Sequence, residues 1–519
     1  MASKLSATDT LDLTKDESLE KAAAQIVRAV REATKPRPRA STVAGTAQHQ
    51  PSAKLAWHGL YDDSGLLEQE TQASGKPEVT AFERATPEPL ERRLSRDETR
   101  ERLEAYSEAK PLKPTVQMAL KLARDSSATV EDLARVIKQD QALAARVLQL
   151  ANSSLHRRGA PTRTIEQAII RLGMGVLRET ISSTAVLDQF STSEGVLNIQ
   201  MLWEHGYAVG MLAADLTRVT RQMSSDDAFL IGLMHDMGRA IMAGQIGQDY
   251  LDALLTARRS DIRPSRVEKA FFELNHADVA DVVFRTWDFD EAVTAPIANH
   301  HLSDRNLRHL APVHYKQTRL LKMADNLAHG ALLGDSGSDW IHITDLKLDG
   351  AALSPGLVRT CVQRAAKTLE ELRLMLASVP GATPPHEYAW VLREQLPQDI
   401  TLATGTSTEM VDILDLLAWR LGETDLDAFA PVGGPYGPSD VPDVVLATLH
   451  TPQQVSELAH TLQAYDQSDR RVPLIVSLAD EELLTGSTSL VTDRHIQVLP
   501  IEFRVAWVIR AINELYGRE

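Results

Sequence analysis

Residues 226–242 carry the sequence DDAFLIGLMHDMGRAIM, an apolar run in which His235 and Asp236 stand side by side. The apolar residues from Phe229 to Met237 recur at helical spacing, which predicts one buried helix. Two aspartates fit its first turn, where carboxylates favour the positive end of the helix dipole. Because adjacent helical residues point about 100° apart, His235 and Asp236 would share an ion only if other helices supplied further ligands.

Further candidate ligands lie on other predicted helices. His205 precedes the pair and Asp325 follows it, so the order is His, His-Asp, Asp. This order resembles the metal-ligand order of the HD phosphohydrolase superfamily. The resemblance implies Fe, Mn, Zn or Ni, because imidazole with carboxylate suits these metals better than Ca²⁺ or Mg²⁺. In two-metal relatives of the HD-GYP type, matching positions help to hold a second ion, and here they are His276, His300 and His301.

A packing role competes with metal binding for the same residues. Histidines on apolar helix faces are more often satisfied core residues than ligands, and the four positions in order could also serve packing and helix capping. Gly238 predicts a turn or a close approach of two helices. Arg239 offers a basic group near the pair, although a surface charge at a helix end is the preferred interpretation. No residue is assigned a catalytic role.

Composition bounds the class of protein. The chain has 519 residues, which predicts two or three domains, and its formal charge of −16 disfavours binding to nucleic acid phosphates. Aromatic residues make up 5%, too few for base-stacking surfaces. Cys361 is the single cysteine, which excludes a disulfide within one chain and fits a reducing compartment. Without a signal peptide or an apolar run of membrane-spanning length, we expect a cytoplasmic protein without membrane insertion.

Two segments predict little packed structure. Residues 1–95 are expected to be mostly disordered because their polar composition cannot bury enough apolar surface. Within them, Ser18 to Thr34 predicts one short amphipathic helix. An apolar island from Trp57 to Tyr61 is either a docking motif, a strap on the main domain or an incidental cluster. Residues 381–398 follow a Gly/Pro-rich signal and are predicted to be a linker.

The sequence of residues 96–380 predicts a series of consecutive helices, with capping signals at Thr129 and Thr164. The motifs Ala-Asn-Ser at 151–153 and Thr-Ile-Glu-Gln-Ala at 164–168 resemble those of the HDOD domain, an HD-related helical module of bacterial signalling proteins. Gln141 departs from the family, which more often has proline there. The resemblance implies an all-α HD-type core that takes part in signal transduction.

Residues 399–519 alternate strand-length apolar runs with helical runs, which predicts a parallel sheet. This smaller α/β domain resembles a flavodoxin-like response-regulator receiver. A receiver requires an acidic pair after its first strand and an aspartate that accepts phosphate after its third. Thr404 and Thr448 stand there instead, and Leu478 and Leu499 replace the switch hydroxyl and the lysine. The resemblance therefore implies a pseudo-receiver that binds neither Mg²⁺ nor a phosphoryl group.

The sequence leaves two main functions open. The first is a scaffold that binds regulatory proteins, including those of cyclic-di-GMP signalling, or a second copy of the chain. The second is a metal-dependent phosphohydrolase acting on a nucleotide or cyclic dinucleotide, although no Gly-Tyr-Pro signature follows His301. A pocket that binds a ligand without turnover is a third interpretation.

The last strand and helix offer a candidate interface. The apolar stripe from Ile496 to Leu515 is wider than one sheet-facing side needs, which predicts either an exposed patch for a partner or coverage by the rest of the chain. If the patch is exposed, a charge at Val508, as in Val508→Glu, should weaken association without unfolding the domain.

Overall fold

The computed structural model describes 18 segments of the chain, which include the whole of the candidate site. They are residues 79–81, 90–109, 115, 118–119, 121–122, 125, 127–152, 162–189, 197–287, 289–342, 347–348, 351–377, 387–397, 400–404, 413–422, 442–465, 471–478 and 494–516. The predicted helix at 18–34 and the island at 57–61 lie outside them. None of the helices in these segments is long and apolar enough to cross a membrane.

Between residues 96 and 330, the described residues form helices and connecting turns only, as predicted for the core. The helices are α1 (Arg96–Ala109), α2 (Val130–Ile137), α3 (Gln141–Ala151), α4 (Ile165–Gln189), α5 (Ile199–Thr220), α6 (Ser225–Met234), α7 (Met237–Ile246), α8 (Gln248–Arg259), α9 (Pro264–Phe272), α10 (His276–Thr286), α11 (Glu291–Asn299), α12 (Asp304–Leu310) and α13 (Tyr315–Gly330). A 3₁₀ turn, Pro312–His314, precedes α13. The capping box predicted at Thr129 is present, because its hydroxyl accepts from Asp132 N–H and Asp132 accepts from Thr129 N–H.

Close contact between α5 and α6 sets the centre of the core. A Cβ on Gly232 would lie 2.6 Å from Gly210 Cα, so only glycine lets these two backbones approach so closely. Both helices are almost entirely buried. The approach brings His205 on α5 next to the end of α6.

The prediction of one helix from the two aspartates to Met237 is wrong at the pair itself. Helix α6 ends at Met234 and α7 begins at Met237, so His235 and Asp236 lie at the break. The Asp236 side chain makes no capping hydrogen bond. Its carboxylate faces Arg239 and several imidazoles instead, and the break lets both members of the pair face one site.

The parallel sheet expected in the tail is present. Its strands are β5 (Leu402–Thr404), β6 (Val444–Leu449), β7 (Leu474–Leu478) and β8 (Ile496–Leu499), and each pairs in parallel with the next. Helices α16 (Ile413–Leu421), α17 (Pro452–Tyr465) and α18 (Val505–Tyr516) alternate with them. Strand β9 (Glu502–Arg504) directly precedes α18.

A short N-terminal strand corrects the prediction that residues 1–95 lack packed structure. Strand β1 (Val79–Ala81) pairs in parallel with β8 and forms one edge of the sheet, whose order is β1-β8-β7-β6-β5. Three residues are too few to show the alternation of apolar and polar residues that predicts a strand. The sheet edge that β1 covers also exists only once the sheet has formed.

The helical core and the tail are joined by a second, two-stranded sheet. Strand β2 (Trp340–His342) follows α13 and pairs antiparallel with β9. At this junction the buried Arg504 binds Asp339 through Nε at 2.9 Å and Asp261 through a terminal nitrogen at 2.8 Å. The tail is therefore fixed to the core by a buried ion-pair network.

The remaining elements lie between β2 and β5 in the chain. They are the pair β3 (Lys347–Leu348) and β4 (Ala351–Ala352), helix α14 (Pro355–Ala377) and helix α15 (Tyr388–Arg393). Helix α15 lies inside the predicted linker 381–398, and its Tyr388 and Leu392 are buried. That part of the segment is packed structure, which its Gly/Pro-rich surroundings did not indicate.

The exposed patch predicted between Ile496 and Leu515 is wrong, because most apolar side chains of this stretch are covered. Val508 is fully buried, and Phe503, Val505, Trp507, Ile509, Ala511, Ile512 and Leu515 are buried with it. The exceptions are Ala506, which is half-buried, and Ile501 before β9, which is 42% exposed. The other alternative, coverage by the rest of the chain, is correct. Helix α18 packs against the sheet on one side, and the start of α18 packs against the β2–β9 junction. A charge at Val508 would disrupt packing rather than report on an interface.

Candidate metal centre

Five segments of the core bring all seven predicted ligands together. His205 lies on α5, His235 and Asp236 at the α6–α7 break, and Asp325 on α13. His276 begins α10, while His300 and His301 follow directly after α11. A prediction made from residue order alone thus corresponds to one cluster in space.

The first donor group consists of His205, His235, Asp236 and Asp325. Oδ1 of Asp325 lies 3.0 Å from His205 Nε2 and 3.5 Å from His235 Nε2. Oδ2 of Asp236 lies 3.5 Å from the same His235 nitrogen. Both imidazoles are completely buried, whereas the Asp325 side chain is 21% exposed. Asp325 is therefore the member of this group that is most exposed to solvent.

The second donor group consists of Asp236, His276, His300 and His301. One ligand atom from each lies within 4.8 Å of the other three. Oδ1 of Asp236 is 3.0 Å from His276 Nε2 and 3.8 Å from His300 Nε2. Asp236 thus turns one oxygen to each donor group, which is how a carboxylate bridges two ions.

Hydrogen bonds outside the cluster orient three of the imidazoles. Nδ1 of His235 donates to the Gly232 carbonyl at 2.7 Å, and Nδ1 of His300 donates to the Ile297 carbonyl at 2.6 Å. Nδ1 of His276 donates to Glu268 at 2.6 Å. Each bond directs Nε2 inward, which is the arrangement that fixes metal-binding histidines.

Glu268 is the centre of a buried supporting network. Its carboxylate accepts from the main-chain N–H of His276 at 3.0 Å and from the Tyr250 hydroxyl at 2.9 Å. Burial opposes ionisation, but His276 and Arg239 lower the pKa of Glu268 to about 2. A charged carboxylate at this position fixes both the start of α10 and the ring of His276.

The preferred placement of Arg239 on the surface is wrong. Its side chain is 2% exposed, with Nε 3.2 Å from Asp236 and a terminal nitrogen 3.4 Å from Glu268. The sequence position after Gly238 did not indicate burial, because the two carboxylates that balance this charge come from different segments. Arg239 therefore holds two acidic groups of the site in place.

The carboxylates of the site are ionised. Burial disfavours their charge, yet Arg239, His235 and His276 hold the pKa of Asp236 well below its ordinary value. The pKa of Asp325 is likewise well below its ordinary value, since His329, His205 and His235 outweigh burial. Two fixed negative charges in a buried cluster favour a cation between them.

Three imidazoles of the site are neutral. Burial, His235 and His276 lower the pKa of His300 to about 3, and burial with His300 and His276 lowers the pKa of His301 strongly. Burial and His329 lower the pKa of His205. Because a histidine binds metal through an unprotonated nitrogen, these three are ready ligands.

His235 and His276 behave differently when no ion is bound. Burial opposes their protonation, but Asp236 and Asp325 raise the pKa of His235 to about 9. Against burial and Arg239, Glu268 and Asp236 raise the pKa of His276. The site therefore attracts positive charge, and a metal ion would replace these protons.

Unpartnered polar atoms show that the residues fit a metal. Nε2 of His235, Nε2 of His300 and Oδ1 of Asp236 are buried and make no hydrogen bond among the described residues. Buried polar atoms without partners are costly, unless an ion or ligand supplies the missing interaction. Imidazole nitrogens with shared carboxylates are the donors that Fe, Mn, Zn and Ni accept.

Sequence reasoning missed His329 and Glu268. His329 lies one turn after Asp325 on α13, and its Nε2 is 3.3 Å from Asp325 Oδ1. The spacing of four residues on a predicted helix was a usable signal. Glu268 offered none, since its contact with His276 depends on the turn between α9 and α10.

Replacing Gly238 by alanine is expected to damage the centre. A Cβ there would lie 1.9 Å from the main-chain oxygen of His276, so α7 and α10 must separate. We expect the free energy of unfolding to fall by about 3 kcal/mol and metal content to fall with it. Denaturant unfolding and elemental analysis measure both. Gly356→Ala is the control, since its Cβ would meet no atom within 4 Å, and equal behaviour of the two variants would contradict the close approach.

Acid is expected to destabilise the metal-free protein partly through His300. Its pKa is about 3 when folded, below its ordinary value of 6.5, so unfolding takes up a proton in this range. The stability that His300 contributes is therefore complete above pH 6.5 and is lost as the pH falls towards 3. Urea unfolding between pH 7.5 and 4 measures it. The advantage of the wild type over His300→Gln should shrink with acid, and a constant difference would contradict a buried neutral ring.

Comparisons with known proteins agree with the helical core. The HDOD domain family matches residues 110–303, a range that includes six of the seven predicted ligands and ends before Asp325. None of the curated proteins compared with the chain matches it.

Solved structures similar to the chain come from several bacteria. An HDOD domain protein with unknown function from Geobacter sulfurreducens has 23% identity and a TM-score of 0.43, over 54% of this chain and 98% of that chain. A provisionally named phosphohydrolase from Shewanella amazonensis SB2B has 20% identity and a TM-score of 0.43, over 53% and 98%. A provisionally named signal transduction protein from Marinobacter aquaeolei VT8 has 21% identity and a TM-score of 0.41, over 54% and 65%.

Proposed function

We propose that this chain, which contains an HDOD domain at residues 110–303, is a signal-transduction protein whose metal-loaded core regulates the tail and its protein partners. In this proposal the two donor groups bind divalent transition metal, Fe, Mn, Zn or Ni. The expected partners are regulatory proteins, including those of cyclic-di-GMP signalling, or a second copy of the chain, and the expected location is the cytoplasm.

One contact carries this proposal. Asn326, the neighbour of Asp325 on α13, donates to the His342 carbonyl at 2.6 Å and accepts from the His342 N–H at 2.9 Å. His342 belongs to β2, and β2 pairs with β9 of the tail. A change at Asp325 therefore has a short, hydrogen-bonded connection to the tail, which suits regulation.

The tail is proposed to be a pseudo-receiver. Supporting this, the order β5-β6-β7-β8 is parallel throughout, and no Asp or Glu occurs within these four strands. Thr404 and Thr448 stand near the carboxyl ends of β5 and β6, where a receiver would need carboxylates. Such a domain would transmit contacts rather than phosphate.

The tail is therefore expected to remain unphosphorylated. Acetyl phosphate or a histidine kinase should leave residues 399–519 unmodified, because a threonine cannot form the acyl-phosphate of a receiver. Intact-mass measurement checks this, with an active receiver treated in parallel as the control. A stable acyl-phosphate on this segment would contradict the placement of Thr448.

Hydrogen exchange tests the coupling directly. Adding Mn²⁺ to metal-free protein should slow exchange at residues 340–342 and also at 502–504, which lie far from the ligands in sequence. Asn326→Ala should remove the effect on 502–504, while Asn306→Ala, at an exposed site on α12, should not. Bound Mn²⁺ without any change in the tail would contradict the proposed regulation.

A phosphohydrolase is the second candidate, and the sharing of Asp236 between two donor groups favours it. A bound metal pair would supply Lewis-acid activation of water and of a phosphoryl oxygen. Asp325 and His301 are the candidate ligands that keep some solvent exposure, and a phosphate group would reach the metals beside them. Within the site, Arg239 and Glu268 would keep Asp236 and His276 in position.

Turnover separates the two candidates. Metal-loaded protein is incubated with bis(p-nitrophenyl) phosphate and, separately, with cyclic-di-GMP, beside the Asp236→Ala variant. The signalling proposal predicts no difference between wild type and variant. Hydrolysis that requires both metal and Asp236 would establish the enzyme instead.

A further inference from the structure

His329 is a buried histidine that neither proposed donor group includes. It is 8% exposed and lies one helical turn after Asp325 on α13. Its ring centroid is 4.5 Å from that of His205, and its Nε2 is 3.3 Å from Asp325 Oδ1. One ligand atom from each of His205, Asp325 and His329 lies within 4.8 Å of the other two.

Three imidazoles surround one carboxylate oxygen. Oδ1 of Asp325 lies 3.0 Å from Nε2 of His205, 3.3 Å from Nε2 of His329 and 3.5 Å from Nε2 of His235. Metal bonds of about 2.0–2.1 Å place neighbouring donors about 2.9–3.4 Å apart. The separations to His205 and His329 fall within this range and fit ligands that share an ion, whereas the separation to His235 lies just above it.

Hydrogen bonding alone does not account for this arrangement. An ionised carboxylate has about two acceptor sites on each oxygen, so Oδ1 cannot accept from three imidazoles at once. Nε2 of His235 accordingly makes no hydrogen bond within the part of the chain that the structure describes. A cation among these atoms would satisfy the nitrogens and the oxygen together.

We propose that His329 is a ligand of the ion that His205 and Asp325 bind, an inference that rests on the proposed metal-binding function. A further imidazole nitrogen strengthens that half of the site. The ion next to the tail junction is then held by two residues of α13, Asp325 and His329. Those residues flank Asn326, so metal occupancy acts on the helix that contacts β2.

The test uses the full chain loaded with Co²⁺, whose visible spectrum reports coordination. Wild type is compared with His329→Ala and with His309→Ala, a control at an exposed histidine on α12. We expect His329→Ala to weaken binding of one Co²⁺ by more than about tenfold, to change the spectrum and to lower the imidazole count from X-ray absorption. His309→Ala should match the wild type, and free imidazole should partly restore the His329→Ala spectrum.

The outcomes separate this inference from the function on which it rests. If wild type binds no Co²⁺, the proposed metal function fails, and the ligand role of His329 fails with it. If wild type binds Co²⁺ and His329→Ala has the same affinity and spectrum, only the ligand role fails. A lower affinity with an unchanged imidazole count would make His329 a positioning residue, which also overturns the inference.

Discussion

Replacing Asp236 by alanine is expected to remove metal from both donor groups at once. Its Oδ2 faces His235 and its Oδ1 faces His276, so it is the carboxylate common to the two groups. Loss of a group that merely supports a ligand lowers affinity about 10- to 100-fold, so loss of a shared ligand should exceed ~100-fold. Competition with a chelator measures this for each ion.

Variants that each remove a ligand from only one donor group are the matched comparison for Asp236→Ala. His300→Ala should weaken the second donor group and leave the first, whereas His205→Ala should do the reverse. The exposed-site variant His309→Ala should bind like the wild type. If Asp236→Ala lost one ion and kept the other at full affinity, the shared role of this carboxylate would be refuted.

Replacing Arg504 by alanine is expected to have the largest effect on stability. The side chain is 2% exposed and binds Asp339 and Asp261, which are 6% exposed. Removing it takes a buried cation away from both carboxylates, and breaking a buried pair in this way costs about 3–5 kcal/mol. Denaturant unfolding measures the loss, and the tail should detach from the core before the core unfolds.

Arg263 provides the control for Arg504. It pairs with Glu502 on the same strand β9 at 3.2 Å, but the two side chains are 30% and 43% exposed. An exposed pair contributes about 1 kcal/mol or less, so Arg263→Ala should be mild. Equal losses for the two variants would mean that burial at the junction is not what fixes the tail.

The grouping of the candidate ligands was predictable from sequence because these residues have distinctive types in a fixed order. His205, His235 and Asp325 could be selected before any contact was known, and the structure places them together. Their supports could not be selected. Glu268 and Arg239 look like ordinary surface charges in sequence, and only the packing of α7, α9 and α10 places them beside each other.

The tail was predictable in outline for a related reason. Strands β6 and β7 are continuous apolar runs bounded by turns, a pattern typical of buried parallel strands. The strands β1 and β9 have three residues each and depend on partners far away in the chain. Val508 shows the same limit, because the number of apolar residues on a helix does not reveal how many faces will be covered.

The metal content of the purified full chain tests the central claim most directly. Expression in medium supplemented with Fe, Mn, Zn and Ni, followed by elemental analysis, should yield about one to two transition metal ions per chain. The Asp236→Ala variant, prepared in parallel, should carry almost none. Wild-type protein with no more transition metal than this variant would contradict a metal centre at the His/Asp cluster.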